Sequence, residues 1–360
     1  LIFPASVPLA TPKFGGTAPC RHRRAFLAAA AAFGLFAPSI LRAQALTRLR
    51  IAVLPGLAAL PLAIAQEARL VEKHLAAQGL RDVAVAWTQT GAGTENALLA
   101  EAVDFAAIAL PALVLLWEKT KGSPREVRAL ASLPSIPHML FARGSRTNTI
   151  RDFAPDDRIA VPVLRAGLHA LLVQMAAAQA FGPQAWNRYE NIMVEMPQAE
   201  AFAALSGAAL AGAEPRAITA HMSGPPQQWT QMRDPHLTRV AESTAITDGP
   251  ATQNVVAARL AFRERHPDAT AAVLDALDEA MQTIRRDLRN SVGIFVRAQR
   301  LQLDAGVLAE NLRDPNTTFD TTPNRVLFAA QFMRQTGLVK QAPASWRDMW
   351  MPEMHARNGS

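Results

Sequence analysis

Cysteine is nearly missing from this 360-residue chain: Cys20 is the only one. Beyond it, the chain has no thiol to form a disulfide, attack a substrate as a nucleophile or ligate a metal. Cys20 also precedes the apolar run that a lipid-anchored protein would carry before its modified cysteine. Long apolar runs are scarce too. The candidate run, Ala25–Leu41, holds 17 residues, contains Gly34 and Pro38 and ends against Arg42. A spanning helix needs about 20 apolar residues. No Gly-x-Ser-x-Gly elbow occurs, since Ser206-Gly207 and Ser223-Gly224 lack the preceding glycine. The phosphate-binding P-loop pattern is absent as well. Gly91-Ala92-Gly93-Thr94-Glu95-Asn96 starts like a dinucleotide fingerprint but places Asn sixth, and Glu95 would repel a pyrophosphate. It reads as a turn with Thr94 capping a helix.

An excess of one charge is missing from most of the chain. The net +7 includes five basic residues before position 46 (Lys13, Arg21, Arg23, Arg24 and Arg42) with no acid among them. Removing those five from the 37 Lys and Arg leaves 32 against 30 acids, a net +2. No basic stripe remains for a nucleic acid to bind. What those first residues do contain reads as an export signal. Arg23-Arg24-Ala25-Phe26-Leu27 opens the apolar run, and Ala43-Gln44-Ala45 supplies a small-x-small cleavage site. The paired arginines resemble the twin-arginine signal, which exports folded proteins. Residues 1–45 are therefore expected to be an N-terminal extension and cleaved signal. The rest is expected to work in the periplasm, soluble and monomeric.

About 315 residues remain, enough for two lobes. The chain echoes itself. Arg50-Ile51-Ala52-Val53 is followed by Leu54-Pro55 and a helical segment; Arg158-Ile159-Ala160-Val161 is followed by Pro162, Gly167 and another. Strand Val103–Ala109 ends at Leu110-Pro111, and strand Arg216–Ala220 leads to Met222-Ser223-Gly224-Pro225-Pro226. Strands alternating with helices predict mainly parallel sheets, here in two α/β lobes. Lobe one is expected over 46–143 and 246–350, lobe two over 144–245, with a tail at 351–360. Met139–Ala142 is read as a strand leaving lobe one, and Asn254–Ala258 as a strand returning to it. From Pro267 the pattern is helical, with Ala272, Leu277, Ala280 and Ile284 on one face.

Four stretches together resemble the periplasmic substrate-binding proteins of the nitrate, sulfonate and taurine group. They are Pro61–Glu67 with Leu70–His74, Ala97–Ala106, Arg158–Pro162, and Phe262–Leu274. Their order covers Leu49 to Trp346. The sequence departs from the group at Glu101-Ala102 and Arg69, where glycine is usual, and at Leu110-Pro111, where many relatives carry a polar residue. The resemblance implies a type II periplasmic binding fold: two α/β lobes on a two-strand hinge closing over a small, anionic solute. It also implies delivery to the ABC permease of the inner membrane and its ATPase, with no catalysis and no cofactor. Two alternatives share the fold. One is an enzyme like the pyrimidine synthases of thiamine biosynthesis, whose cysteine-rich chemistry this chain lacks. The other is an exported sensory module.

In α/β folds ligands sit at the carboxyl ends of strands, where helix N-termini favour anions. That places Pro55, Gly56, Leu57, Gly91, Gly93, Thr94, Leu110, Gly167, Met222 and Ser223 at the expected cleft. Arg165 is the expected cation for an oxyanion. His138, His169 and His221 fall near strand ends. None has a histidine or carboxylate at i+3 or i+4, so hydrogen bonding to the ligand is expected of them and metal ligation is not.

Overall fold

The computed structural model describes residues 46–89, 93–206 and 218–360. The expected signal at 1–45 and Gly91 lie outside the described residues, as does the start of the strand expected at Arg216–Ala220. The compact unit is Leu46–Ser360.

The first strand, β1 (Arg48–Val53), is buried along its second half and leads through Leu54-Pro55-Gly56 into α1 (Leu60–Glu67) and α2 (Leu70–Ala77). Pro61 lies in the first turn of α1, where no intrahelical N–H is lost. Next come β2 (Ala84–Gln89), α3 (Thr94–Leu99), β3 (Phe105–Ala109), α4 (Leu110–Thr120) and β4 (Val127–Ser132). The chain then crosses to a second sheet made of β5 (Met139–Arg143), β6 (Ile159–Val161), β7 (Met193–Glu195), β8 (Ala220–Ser223) and β9 (Leu237–Glu242). Between these strands run α5 (Leu168–Phe181), α6 (Gln198–Ser206) and α7 (Gln227–Gln231). A second crossing returns the chain to β10 (Asn254–Arg259), and helices follow, the longest Pro267–Arg286.

The sequence echo has a structural counterpart. The first sheet runs β2-β1-β3-β10-β4 and the second β7-β6-β8-β5-β9. β1 pairs in parallel with β2 and β3, as β6 does with β7 and β8. In each sheet one antiparallel strand, β10 or β5, arrives by a crossing and fills the fourth place. Alanine-rich strands such as β3 and β10 are buried on both faces, as strands covered by helices must be.

One expectation needs correction. Met139–Arg143 pairs with β8 and β9, so it belongs to the second sheet and lobe two starts one strand before 144. Its apolar alternation announces a strand but not its partner. The tail at 351–360 is packed against the first lobe. The Met351 N–H donates to the Ala129 carbonyl, Met351 and Met354 are buried, and Ser360 bonds the backbone of Pro323 and Val326.

Candidate functional site

The two crossings are bonded to each other. The His138 N–H donates to Ser243 Oγ at 2.9 Å and the Ser243 N–H to the His138 carbonyl at 2.8 Å. The Leu133 N–H donates to the Asn254 carbonyl at 2.9 Å. Beside them lies a cavity of about 1050 Å³ lined from both lobes. Lobe one contributes the turn after β1 (Leu54–Ala58), Ala109 at the end of β3 and Ala112 in the first turn of α4. Lobe two contributes the exit of β6 (Pro162–Val163, Ala166–His169), Gln198–Ala199 and Phe202–Ala203 of α6, and Gly224–Gln227 after β8. Gln253, Asn254, Phe295 and Leu301 complete much of the rest.

On this wall His138 Nδ1 and His169 Nε2 stand 2.9 Å apart. Burial lowers the His138 pKa to about 4, against a raising hydrogen bond from the Gln253 side chain. Burial, then the charges of His138 and His221, hold His169 well below the ordinary histidine value. At neutral pH both rings are uncharged, so one nitrogen of the pair donates and the other accepts. A Cβ on Gly224 would come within 3.1 Å of His138 Cε1 and 3.3 Å of His169 Nε2. The absence of a side chain there lets the backbone lie against both rings. The Gln198 amide holds this backbone in place: Nε2 donates to the Met222 carbonyl at 3.0 Å and Oε1 accepts from the Gly224 N–H at 3.1 Å. Glu95 is the only charged side chain among the described residues on the wall.

Of the expected site residues, Pro55, Gly56, Leu57, His138, Gly167 and His169 line the cavity. Gly56 has φ +94°, and the Cβ position it leaves empty is 4.0 Å from the Pro225 carbonyl oxygen, across the lobes. A side chain on Gly167 would collide with the Val163 carbonyl, so that turn requires glycine. The other described residues lie off the wall. Gly93, at φ +96°, takes the cap position of α3, and Thr94 is a buried first helical residue rather than the cap. Leu110 is the buried first residue of α4, with its N–H donating to the Gln253 carbonyl. Arg165 is exposed, at φ +57°. His221, Met222 and Ser223 are buried within β8, which runs three residues further than its apolar pattern suggests and delays the strand exit to Gly224. His221 Nδ1 lies 3.2 Å from Gln231 Nε2, and burial lowers its pKa to about 4. Gln198, Gln253 and Asn254 escaped the sequence reading. For Gln253 and Asn254 the available signal was the start of the strand expected at Asn254–Ala258.

No group of three or more His, Cys, Asp or Glu side chains among the described residues can hold a metal ion. No described helix is long and apolar enough to cross a membrane.

Two α/β lobes with matching strand order, joined by two crossings and sharing a cavity at their strand exits, define the periplasmic binding protein fold. Solved structures agree. The periplasmic aliphatic sulphonate-binding protein SsuA of Escherichia coli is similar at 17% identity, with a TM-score of 0.64 over 85% of this chain and 92% of that one. The alkanesulfonate-binding protein SsuA of Xanthomonas axonopodis, bound to MOPS, matches at 16% identity and TM-score 0.64 over 84% and 98%. The periplasmic nitrate-binding protein NrtA of Synechocystis matches at 16% and 0.61 over 84% of each chain. No family model matches the chain, and no curated protein does.

Proposed function

We propose that this chain captures a small solute outside the cytoplasm, closes its lobes over it, and delivers it unchanged to the permease of an ATP-driven importer. The observation that carries this reading is the cavity of about 1050 Å³ built from strand exits of both sheets beside two bonded crossings. A ligand touching both walls favours closure, because it gains contacts that the open form lacks. The walls also suit holding over reacting. They offer neutral imidazoles, glutamine amides and apolar side chains, and the fold is that of solved binding proteins. The twin-arginine-like segment supports the extracytoplasmic location.

The test is a thermal-shift screen of Leu46–Ser360 against a metabolite library. A ligand at a hundred times its Kd adds about 2.7 kcal/mol of stability. Small-angle scattering of the complex should show a smaller radius of gyration. A hit that leaves the radius unchanged overturns closure, and a hit converted to product on prolonged incubation replaces capture with catalysis.

A further inference from the structure

The walls of the cavity are poor in what an anion needs. Backbone N–H groups at strand–helix junctions are the usual donors to oxyanions. Here five wall residues are prolines, which carry no N–H: Pro55 after β1, Pro134 in the first crossing, Pro162 after β6, and Pro225 and Pro226 after β8. At the head of α4 the Leu110 N–H is already given to the Gln253 carbonyl, and Pro111 follows it. The long helix opening on the wall, α5, brings Leu168 and His169 there instead of a cation, with His138 of the first crossing bonded to His169. Arg165, the nearest cation in sequence, is exposed and off the wall. No Arg or Lys lies among the described wall residues, and Glu95 adds repulsion for a negative guest.

What the wall does offer is apolar surface. Leu57, Ile136, Val163, Phe202, Phe295 and Leu301 come from both lobes and the C-terminal region. The paired imidazoles provide a hydrogen-bonding edge among them, and the uncharged polar side chains Gln227, Thr230, Gln253, Asn254, Gln299 and Gln302 provide the rest.

We infer that the cavity takes an uncharged, largely apolar organic solute with one N–H or carbonyl group for the histidine pair, and that it discriminates against organic anions of the same shape. This rests on the solute-capture reading and replaces the anionic solute expected from the sequence. The mechanism is a difference in desolvation. A neutral body gains from burial, whereas a sulfonate would leave water with no countercharge on the described wall and with Glu95 facing it.

The experiment uses two fluorescent probes that differ by a single sulfonate. N-phenyl-1-naphthylamine is uncharged at pH 7.5, and 1-anilinonaphthalene-8-sulfonate carries one negative charge. Both are titrated into Leu46–Ser360 and into two variants that put bulk on opposite walls, Ala199→Trp on α6 and Ala112→Trp on α4. Both positions line the cavity, Ala199 exposed and Ala112 half-buried, so either can carry a larger side chain at its surface. The expected result is saturable binding of the amine with a Kd at least tenfold below that of the sulfonate, about 1.4 kcal/mol. At least one variant should weaken it fivefold or more. A preference below tenfold, or tighter sulfonate binding that either variant weakens, overturns the ligand class and leaves solute capture standing. Amine binding that ignores both variants overturns the assignment to this cavity. If neither probe saturates, the ligand class and capture in this cavity fall together.

Discussion

Acid should loosen this protein well above the range in which carboxylates titrate. His138 and His221 are buried, each with a pKa lowered to about 4 by loss of solvation. In the unfolded chain both return to about 6.5. Below pH 6.5 the unfolded state therefore binds protons that the folded state refuses, and stability falls with pH. The contribution is complete above 6.5 and lost once pH has dropped through about 4. At pH 5 the loss is about 2 kcal/mol per ring, so about 4 kcal/mol for the two. His169, also held well below the ordinary histidine value by burial, adds to it in the same direction. Urea unfolding followed by tryptophan fluorescence at pH 7.5 and pH 5.0 measures the difference. The double variant His138→Gln/His221→Gln should show a much shallower dependence, whatever its stability at pH 7.5. The reasoning fails if wild-type stability changes by less than about 1 kcal/mol across that interval, or if the double variant keeps the wild-type slope.

Three further outcomes follow from backbone geometry and charge. Glu101 sits at φ +60° while its carboxylate holds the buried Arg259 guanidinium at 2.5 Å. Glu101→Ala should cost about 1–2 kcal/mol in chemical denaturation, and Glu101→Gly about 1 kcal/mol less, because glycine accepts that φ. Arg69 is exposed at φ +51° with only a 3.4 Å contact to Glu72, so Arg69→Gly should stabilise by about 0.5–1 kcal/mol and raise Tm by about 2 °C. Arg165→Ala should leave the affinity for any solute found within about twofold by calorimetry, since Arg165 is exposed and off the cavity wall. A larger loss would put the guanidinium in the site.

The architecture was legible because proline, glycine and alanine punctuate it. Leu54-Pro55 and Val161-Pro162 end equivalent strands, and the repeated strand–turn–helix order follows from those ends. The partner of Met139–Arg143 was not legible, because antiparallel insertion by a crossing chain leaves no local mark. The cavity wall divides the same way. Pro55, Gly56, Gly167 and His169 stand at strand exits that local pattern announces. Phe295 reaches the wall from a C-terminal helix and Leu301 from the segment after it, so only tertiary packing brings them there. His221 looked like a strand-end residue, yet β8 carries it inside the lobe, where Gln231 approaches its ring. Glu101 and Arg69, at positions where glycine is usual in the resembling group, both adopt positive φ, so the departure lies in the side chain and not in the backbone path.

The placement of β10 bears on the order in which the ribosome makes the protein. β3 and β4 are its neighbours, yet it is translated about 120 residues after β4. Until then the nascent first sheet has a gap one strand wide between two unpaired edges. The intervening lobe, by contrast, has all its strands within one continuous stretch of chain. Synthesis should therefore finish the inserted lobe before the lobe that began first. The half-built sheet is the stage at which this chain is most open to pairing with the wrong partner.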